Sequence, residues 1–445
     1  VTFFLSEIPR VDQTRHAKMT HQDMLIIRWR SIAMSTTTSA KPAHFKRTIA
    51  LLLLLVFGGV MVSDMYLPAL PYLMDAFHTT SHHVQISISV YFAGACASIL
   101  LLGPLSDRIG RRTIVLLGMG VMISGTFCCW SSAHFSVFLA GRILQGLGAG
   151  GGFAVMRTVM RDMVRGNDLA NMLAYISMII GVCPAIAPAL GGIIVTHFSW
   201  RAIFLITLIY YICLFLLMSV WFLETLPKTT QLKNRGENVI KHAWAALSHS
   251  EFMGYCIASA AVYAGLMAYI TASPIIIEMH LHYSALQFGW ITLSVVLAGQ
   301  LSKIYNRIYL KQMGYRFMLR VGLGLVGLAS LAMFICALFH GMTIYTFIIP
   351  MIIYTNGMGI FFPNLSTAAL SVFTSIIGMA SAFYGAIQLA GGMIGSAIIA
   401  HLSEASLLPL STCLMFFVAI ASAALWYAQR MEKINQAINQ NMSEG

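Results

Sequence analysis

Gly103 to Arg112 reads GPLSDRIGRR and places one acid among three arginines between two long apolar runs. The flanking runs, 84–106 and 113–132, are long enough to cross a bilayer, which takes about 20 apolar residues. A charge at the bilayer centre costs about 2.5–3.5 kcal/mol or more. Asp107, Arg108, Arg111 and Arg112 can therefore lie only in the interfacial layer. The chain must reverse there at once, and Gly103, Pro104 and Gly110 are the residues expected to make the turn. The stretch reads as a loop between two membrane-spanning helices.

Composition agrees. The 445 residues are 58% hydrophobic and 9% charged, with a mean hydropathy of +0.79, against about 25% charged in soluble domains. Twelve apolar runs are long enough to span, near 48–71, 84–106, 113–132, 136–159, 169–195, 202–223, 252–277, 285–303, 317–339, 343–365, 377–400 and 410–428. The expected fold is an all-α integral membrane protein of twelve transmembrane helices in two six-helix bundles.

The net charge of +12 imitates a nucleic-acid signal until its residues are placed. Of 27 Lys and Arg, only Arg142 and Arg201 fall outside the segments that the alternation of spans assigns to one side. By the positive-inside rule that side is the cytoplasm, and both termini lie in it. The basic residues of 105–112, 157–165, 228–241 and 303–320 are topology signals, and no nucleic-acid partner is expected.

The domain reading follows: a cytoplasmic tail over 1–46, a first bundle over 47–223, a cytoplasmic central loop over 224–250, a second bundle over 251–429 and a tail over 430–445. Residues 1–33 are polar, unpatterned and basic, and lack the apolar core of a signal peptide. Met34 opens MSTTTSAKPAHFKR, so 1–33 stand either as a disordered tail or as an untranslated leader behind a valine-type start codon. All eight cysteines fall within spans and no CxxC pair exists, which points to free thiols rather than disulfides or zinc. No metal site is expected.

The loop quoted above resembles the signature loop between helices 2 and 3 of the major facilitator superfamily of transporters, with Gly103, Asp107, Arg108, Gly110, Arg111 and Arg112 at the matching positions. The resemblance implies a conformational-switch loop that packs on neighbouring helices and helps hold one state closed. FFPN at Phe361 to Asn364 and GMASAFYGAIQ at Gly378 to Gln388 resemble the twelve-helix drug:proton antiporter branch of bicyclomycin/chloramphenicol resistance. So does the end of the first span, SDMYLPALP, Ser63 to Pro71. The likeness covers about residues 45–430.

Asp64 is the one acid well inside any of the twelve runs. It lies about 16 residues from Thr48, or about 24 Å at 1.5 Å per residue, in the outer half of the hydrocarbon layer. Burial disfavours the charged form of a carboxyl, so such a group can load a proton on one side and release it on the other; the alternative is a carboxylate capping a helix end beside Pro68. FLAGRILQGLGAGGGF resembles the superfamily's helix 4 motif. Its Arg142 lies about seven residues in from the other end, or about 10 Å deep, close to the level of Asp64. Arginine stays ionised, so Arg142 must face water or find a partner, and Asp64 is the one deep candidate. Gln145 extends that polar face. The glycines from Gly146 to Gly152 are packing devices; no Gly-Lys-Ser/Thr ending makes them a phosphate loop.

GVCPAIAPALGG carries Gly181, Pro184, Pro188, Gly191 and Gly192, with the prolines on one helix face where each removes a backbone hydrogen bond. It resembles the antiporter motif, with Ala187 where glycine is usual. In the second half, 303–316 keeps Lys303, Arg307, Lys311 and Arg316 but has lost the acid and the glycine frame. Tyr91, Gln145, Tyr263, Asn356, Tyr384 and Gln388 are substrate-cavity candidates, each also readable as a side chain packed within the bundle. His78, His82, His83, His134, His197, His280, His282, His340 and His401 fall at external ends. Either histidine escapes the bias against external Lys and Arg, or these groups sense an acidic exterior.

The expected function is proton-coupled export of small amphipathic drugs or toxic compounds by alternating access. Export of one metabolite or siderophore is the alternative, since the same parts serve both. Small-molecule substrate, protons and the lipid bilayer are the expected partners, the proton gradient is the energy source with no cofactor, and the carrier is expected to be a monomer in the cell inner membrane. No P-loop, paired carboxylates, HExxH or GxSxG is present, so an enzyme is not expected.

Overall fold

In hydrocarbon every backbone N–H and C=O must be satisfied within the segment, so apolar runs of this length coil into helices. The computed structural model describes residues 45–163, 166–226, 244, 246–339, 341–373 and 377–444. The readings on the tail 1–44, on most of the central loop and on His340 lie outside the described residues. Among the described residues there is no strand.

In chain order the helices are α1 (Phe45–Asp64), a 3-10 turn (Leu67–Ala69), α2 (Leu70–Phe77), α3 (Ser81–Ile109), α4 (Arg111–Ser131), α5 (Phe135–Met163), α6 (Gly166–His197) and α7 (Trp200–Trp221). After the central loop come α8 (Ser250–Pro274) with a π turn (Ile275–His280), α9 (Ala285–Phe339), α10 (Ile344–Ser371), α11 (Ile377–Ala400) and α12 (Leu408–Glu444). Ten described stretches are long and apolar enough to cross a membrane. One of them, α9, is two helices joined at Gly314 (φ 74°, ψ 160°), and α5 adds another of 29 residues. Each of the twelve apolar runs thus lies on helix.

Helices α3, α4, α5 and α7 pack on one another, as do α8, α9, α10, α11 and α12. Among the described residues the broadest seams between the first half of the chain and the second are α3 on α11 and α6 on α9. Lipid offers no hydrophobic drive to helix association, so contact depends on small residues that let backbones approach. The glycines of α5 supply this. A Cβ at Gly146 would overlap the Tyr91 carbonyl of α3, and one at Gly148 would lie 2.7 Å from Met122 of α4.

Three sequence expectations need correction. The turn of GPLSDRIGRR is not shared among Gly103, Pro104 and Gly110: α3 runs unbroken through the first two and stops only at Gly110 (φ 105°, ψ 150°). Proline is accommodated near the end of a helix whose neighbours take up the freed carbonyl, whereas that φ favours glycine. Second, 303–316 has not lost its glycine, because Gly314 makes the corresponding break. Third, the span expected near 252–277 runs on to His280. The π turn carries its helix past the apolar run, and Glu278 lies within the span Ser250–His280.

Two ends of the bundle can be told apart by their residues. One carries Gly110, Arg111, Arg112, Gly314 and Arg316; the other carries His78, His134, His282 and His401, at the helix junctions. They are called the arginine end and the histidine end below.

Candidate functional site

Helix α1 stops at Asp64, and Met65 and Tyr66 turn before the 3-10 segment begins at Leu67–Pro68. Proline fixes its own φ and lacks an N–H, so SDMYLP breaks just beyond the acid. Asp64 is half-buried and accepts a hydrogen bond from Ser63 Oγ at 2.6 Å. Two residues on, Tyr66 is 1% exposed, and its hydroxyl lies 3.1 Å from Ser87 Oγ.

Arg142 of α5 is fully buried. Its Nη1 donates to the Val62 carbonyl at 3.2 Å and to Gln145 Oε1 at 2.7 Å. Its guanidinium carbon sits 3.9 Å from the ring centre of Tyr66 and 4.7 Å from that of Tyr91. Aromatic faces attract a cation most strongly when water is excluded. Gln145 in turn donates to Thr126 Oγ1 at 2.9 Å. Arg142 thus finds partners other than Asp64: no ion pair joins the two here, and two tyrosine rings, a carbonyl and Gln145 hold the charge. Arg142 Nε and Nη2 remain buried without a hydrogen-bond acceptor. The guanidinium reaches α1 only two residues before Asp64, and it has donors to spare.

Tyr91 does more than line the site. Its hydroxyl donates to the Gly59 carbonyl at 3.3 Å and its ring packs edge-on against Phe92, 5.6 Å away. Phe92 meets Tyr263 of α8 at 6.3 Å, and Tyr263 meets Phe362 of α10 at the same distance. Asp64 is an electrostatic neighbour of both Tyr91 and Tyr263. The structure thus brings Asp64, Arg142, Gln145, Tyr91 and Tyr263 together. Asn356 donates to the Ile352 carbonyl of its own helix at 2.8 Å. Tyr384 is buried and Gln388 half-buried on α11, whose neighbouring Ala386 carbonyl accepts from Cys96 Sγ of α3 at 3.3 Å.

The proline–glycine run of α6 adjoins the same place. A Cβ on Gly191 would overlap the Met65 carbonyl, and one on Gly192 would overlap the Ala285 carbonyl of α9. One glycine faces the break after Asp64 and the next faces the other half of the chain. Pro184 and Pro188 lie inside the helix. At Gly181 a Cβ would lie 2.5 Å from Lys303 Nζ and 2.7 Å from Gln300 Oε1, across the α6–α9 seam.

At the arginine end Asp107 pairs with Arg111 at 2.5 Å, and Arg111 Nη1 donates to Ser106 Oγ at 2.5 Å. The first N–H groups of α4, those of Arg111 and Arg112, donate to the Glu224 carboxylate at 3.0 and 3.1 Å. A carboxylate there meets both the unpaired donors and the positive end of the helix dipole. Arg112 Nη2 also donates to the Ser219 carbonyl of α7 at 2.5 Å. The second half repeats the plan: after Gly314, Arg316 pairs with Glu432 of α12 at 2.5 Å, and Tyr315 and Tyr255 donate to the same carboxylate. In both halves the acid comes from later in the chain, Glu224 just beyond α7 and Glu432 within α12. Sequence reading missed Glu224, Glu432 and Tyr66. The first two were legible only as acids following long apolar runs, and Tyr66 only as a ring two residues from Asp64.

Residues 52–396 match the model of the Major Facilitator Superfamily. Multidrug resistance protein D of Escherichia coli (strain K12) is 26% identical over 80% of this chain and 88% of its own length. Multidrug resistance protein MdtL of Salmonella typhi is 26% identical over 77% and 84%, and the MFS-type transporter YdgK of Bacillus subtilis (strain 168) 25% identical over 87% and 96%. A solved bacterial homolog of the human lysosomal transporter Spinster, in an inward-facing and unoccupied conformation, superimposes with a TM-score of 0.68 at 13% identity, over 87% of this chain and 97% of that one. The chain is a multi-pass membrane protein of the Major Facilitator Superfamily, a transporter rather than an enzyme, and its resemblance lies with the superfamily's drug-efflux branch.

Proposed function

We propose that this transporter exports small amphipathic compounds, drugs among them, in exchange for protons across a bacterial inner membrane. Its arginine end and both termini would then face the cytoplasm. The observation that carries the reading is the buried Arg142, with two guanidinium nitrogens unpaired, beside the α1 segment that ends at Asp64. In the proton-loaded state Asp64 would rest beside Ser63, its hydrogen-bond partner in this structure. When it releases the proton inside, its carboxylate can take up the free donors of Arg142, since a charge-assisted pair is stronger than a neutral one.

Substrate would enter between the aromatic rings of Tyr91, Phe92, Tyr263 and Phe362, which suit an apolar body, with Asp64 available to a cationic group. Its arrival favours proton release, and the loaded carrier then turns outward. The membrane potential supplies about 2.3 kcal/mol per charge per 100 mV. The relatives named for multidrug resistance support drugs as cargo over a single metabolite or siderophore. A broad compound panel in a pump-deficient host tests that choice, since a dedicated exporter protects against none of the panel.

Asp64→Asn, nearly isosteric but unable to titrate, is expected to abolish uphill export while leaving the protein in the membrane. Efflux from energised vesicles checks it, and full uphill export by the variant would remove Asp64 from proton coupling.

A further inference from the structure

At the histidine end the first turns of α3 meet the 401–407 turn across the α3–α11 seam. Gln85, 1% exposed, donates its side-chain amide to Glu404 Oε1, and Ser81 one turn earlier also hydrogen-bonds that carboxyl. His82 Nδ1 contacts the Ala400 carbonyl at 2.9 Å, and the rings of His82 and His401 lie 4.3 Å apart. Further in, Ser89 donates to Ser396 at 3.0 Å. The two helices are thus latched at this end.

One atom of the latch is unsatisfied: Gln85 Oε1 is buried with no hydrogen-bond donor. An ionised carboxylate only accepts, so it can serve the amide N–H of Gln85 but not its oxygen. A neutral carboxylic acid serves both, with its O–H donating to Oε1 while its carbonyl accepts from Nε2. A proton on Glu404 gives the buried oxygen its donor.

We propose that Glu404 is a second proton-binding site, on the outer latch, which takes a proton from the external water as α3 and the 401–407 turn close and pairs as a neutral acid with the amide of Gln85. This rests on the reading of the histidine end as external. The proton moves from water to a Glu404 carboxyl oxygen, and hydrogen bonds alone form or break with it. Loss of water around the half-buried carboxyl acts in the same direction, raising it from its ordinary 4.5 to about 7.

The sign follows from linkage. Closure binds a proton, so the closed latch is favoured fully below about pH 4.5 and loses that favour as pH rises to about 7. Export by proton exchange needs this order, because an acidic exterior then closes the outer side over a freshly protonated Asp64. Other titratable groups on the surrounding elements are His82 and His83 on α3, His401 after α11, Asp75 on α2 and Glu278 on the π turn packed against α2.

Nitroxide labels at Thr79 and Ser403, in the otherwise cysteine-free full chain in nanodiscs with Asp64→Asn, report the latch by their distance distribution. Between pH 6 and 8 the closed-to-open ratio is expected to fall about tenfold for one group titrating at about 7. Glu404→Gln, whose amide makes both bonds at any pH, is expected to stay closed with a flat profile. Superimposable profiles for the parent and E404Q overturn the proposal, as does a profile abolished by H82Q or H401Q but kept by E404Q. Should E404Q fail to reach the membrane, Glu404→Asp, too short to pair well, is expected to lower the midpoint; an unmoved midpoint overturns the proposal equally. Export that fails while this titration stands removes the export reading alone, and a missing titration with export intact removes only this one.

Discussion

Gly191 of α6 lies directly against the backbone carbonyl of Met65, the residue that follows Asp64. The other side of the same helix turn, at Gly192, abuts the Ala285 carbonyl where α9 begins. A change in the backbone after Asp64 therefore has a rigid neighbour to push, and that neighbour touches the other half of the chain. The double glycine of the antiporter-like motif brings α6 against the backbone on both sides.

Gly191→Ala follows from this contact. The added Cβ cannot fit without moving Met65 or α6, and overpacking of this kind costs about 1–3 kcal/mol. Export is expected to fall steeply while the protein still inserts, with a lowered melting temperature in detergent. Gly120→Ala is the control, because a Cβ there meets nothing within 4 Å. Equal export by both variants would show that the Gly191–Met65 contact plays no part in transport.

For Arg142, lysine is expected to keep part of the activity and alanine almost none. A lysine ammonium keeps the charge, but it cannot lie flat between Tyr66 and Tyr91 while also donating to Val62 and Gln145. Alanine leaves Gln145 and the Val62 carbonyl without their donor. Proton-driven efflux in proteoliposomes checks the order, and export by the alanine variant at the level of the unaltered protein would make Arg142 a merely tolerated residue.

If the loop charges serve switching rather than binding, their removal should change rate and not affinity. Asp107→Ala removes one partner of Arg111 at the arginine end, and transport is expected to slow with little change in substrate affinity. Glu224→Ala strips the cap from α4, a loss of about 1 kcal/mol for a typical cap, and is expected to show the same pattern more strongly. Equilibrium binding and turnover measured on the same preparation separate the two effects. A large loss of affinity with unchanged turnover would contradict the assignment.

How far the sequence could be read depended on the range of the interaction. The span positions followed from apolar runs because a run of about 20 apolar residues can satisfy its backbone in hydrocarbon as a helix, whereas a barrel strand takes only about 9–11. Asp64 and Arg142 stood out because charge is rare at that depth. What holds Arg142 was not legible: Tyr66 and Tyr91 belong to separate segments, and aromatic residues in a membrane protein carry no mark of which cation they cover. Glu224 and Glu432 escaped for a similar reason, each lying more than a hundred residues from the arginines it serves. Gly314 was passed over because no acid precedes it as Asp107 precedes Gly110, although Arg316 follows Gly314 at the spacing of Arg112 from Gly110 and the backbone break is of the same kind. Glu278 was missed by one position, since a π turn lengthens a span beyond its apolar run.

The histidines give the last prediction. His82 and His83 pack edge-on at 5.2 Å, and His83 Nδ1 contacts Thr80 Oγ1 at 2.9 Å. Protonating neighbouring imidazoles would set like charges together and loosen the turn before α3, an effect opposite in sign to a proton on Glu404. If the histidines governed the outer end, acid would open it; if Glu404 governs it, acid closes it. Replacing His78, His82 and His83 with Gln is expected to leave the dependence of efflux on external pH unchanged, at fixed internal pH and fixed potential. The buried acceptor at Gln85 lacks a donor that a proton on the acid would supply, whereas the contacts of His82 and His83, to the Ala400 carbonyl and the Thr80 hydroxyl, are satisfied as they stand. A triple-Gln profile displaced from that of the unaltered protein would hand the pH response to the histidines, and a displacement that favours closure in acid would identify them as the groups that oppose Glu404.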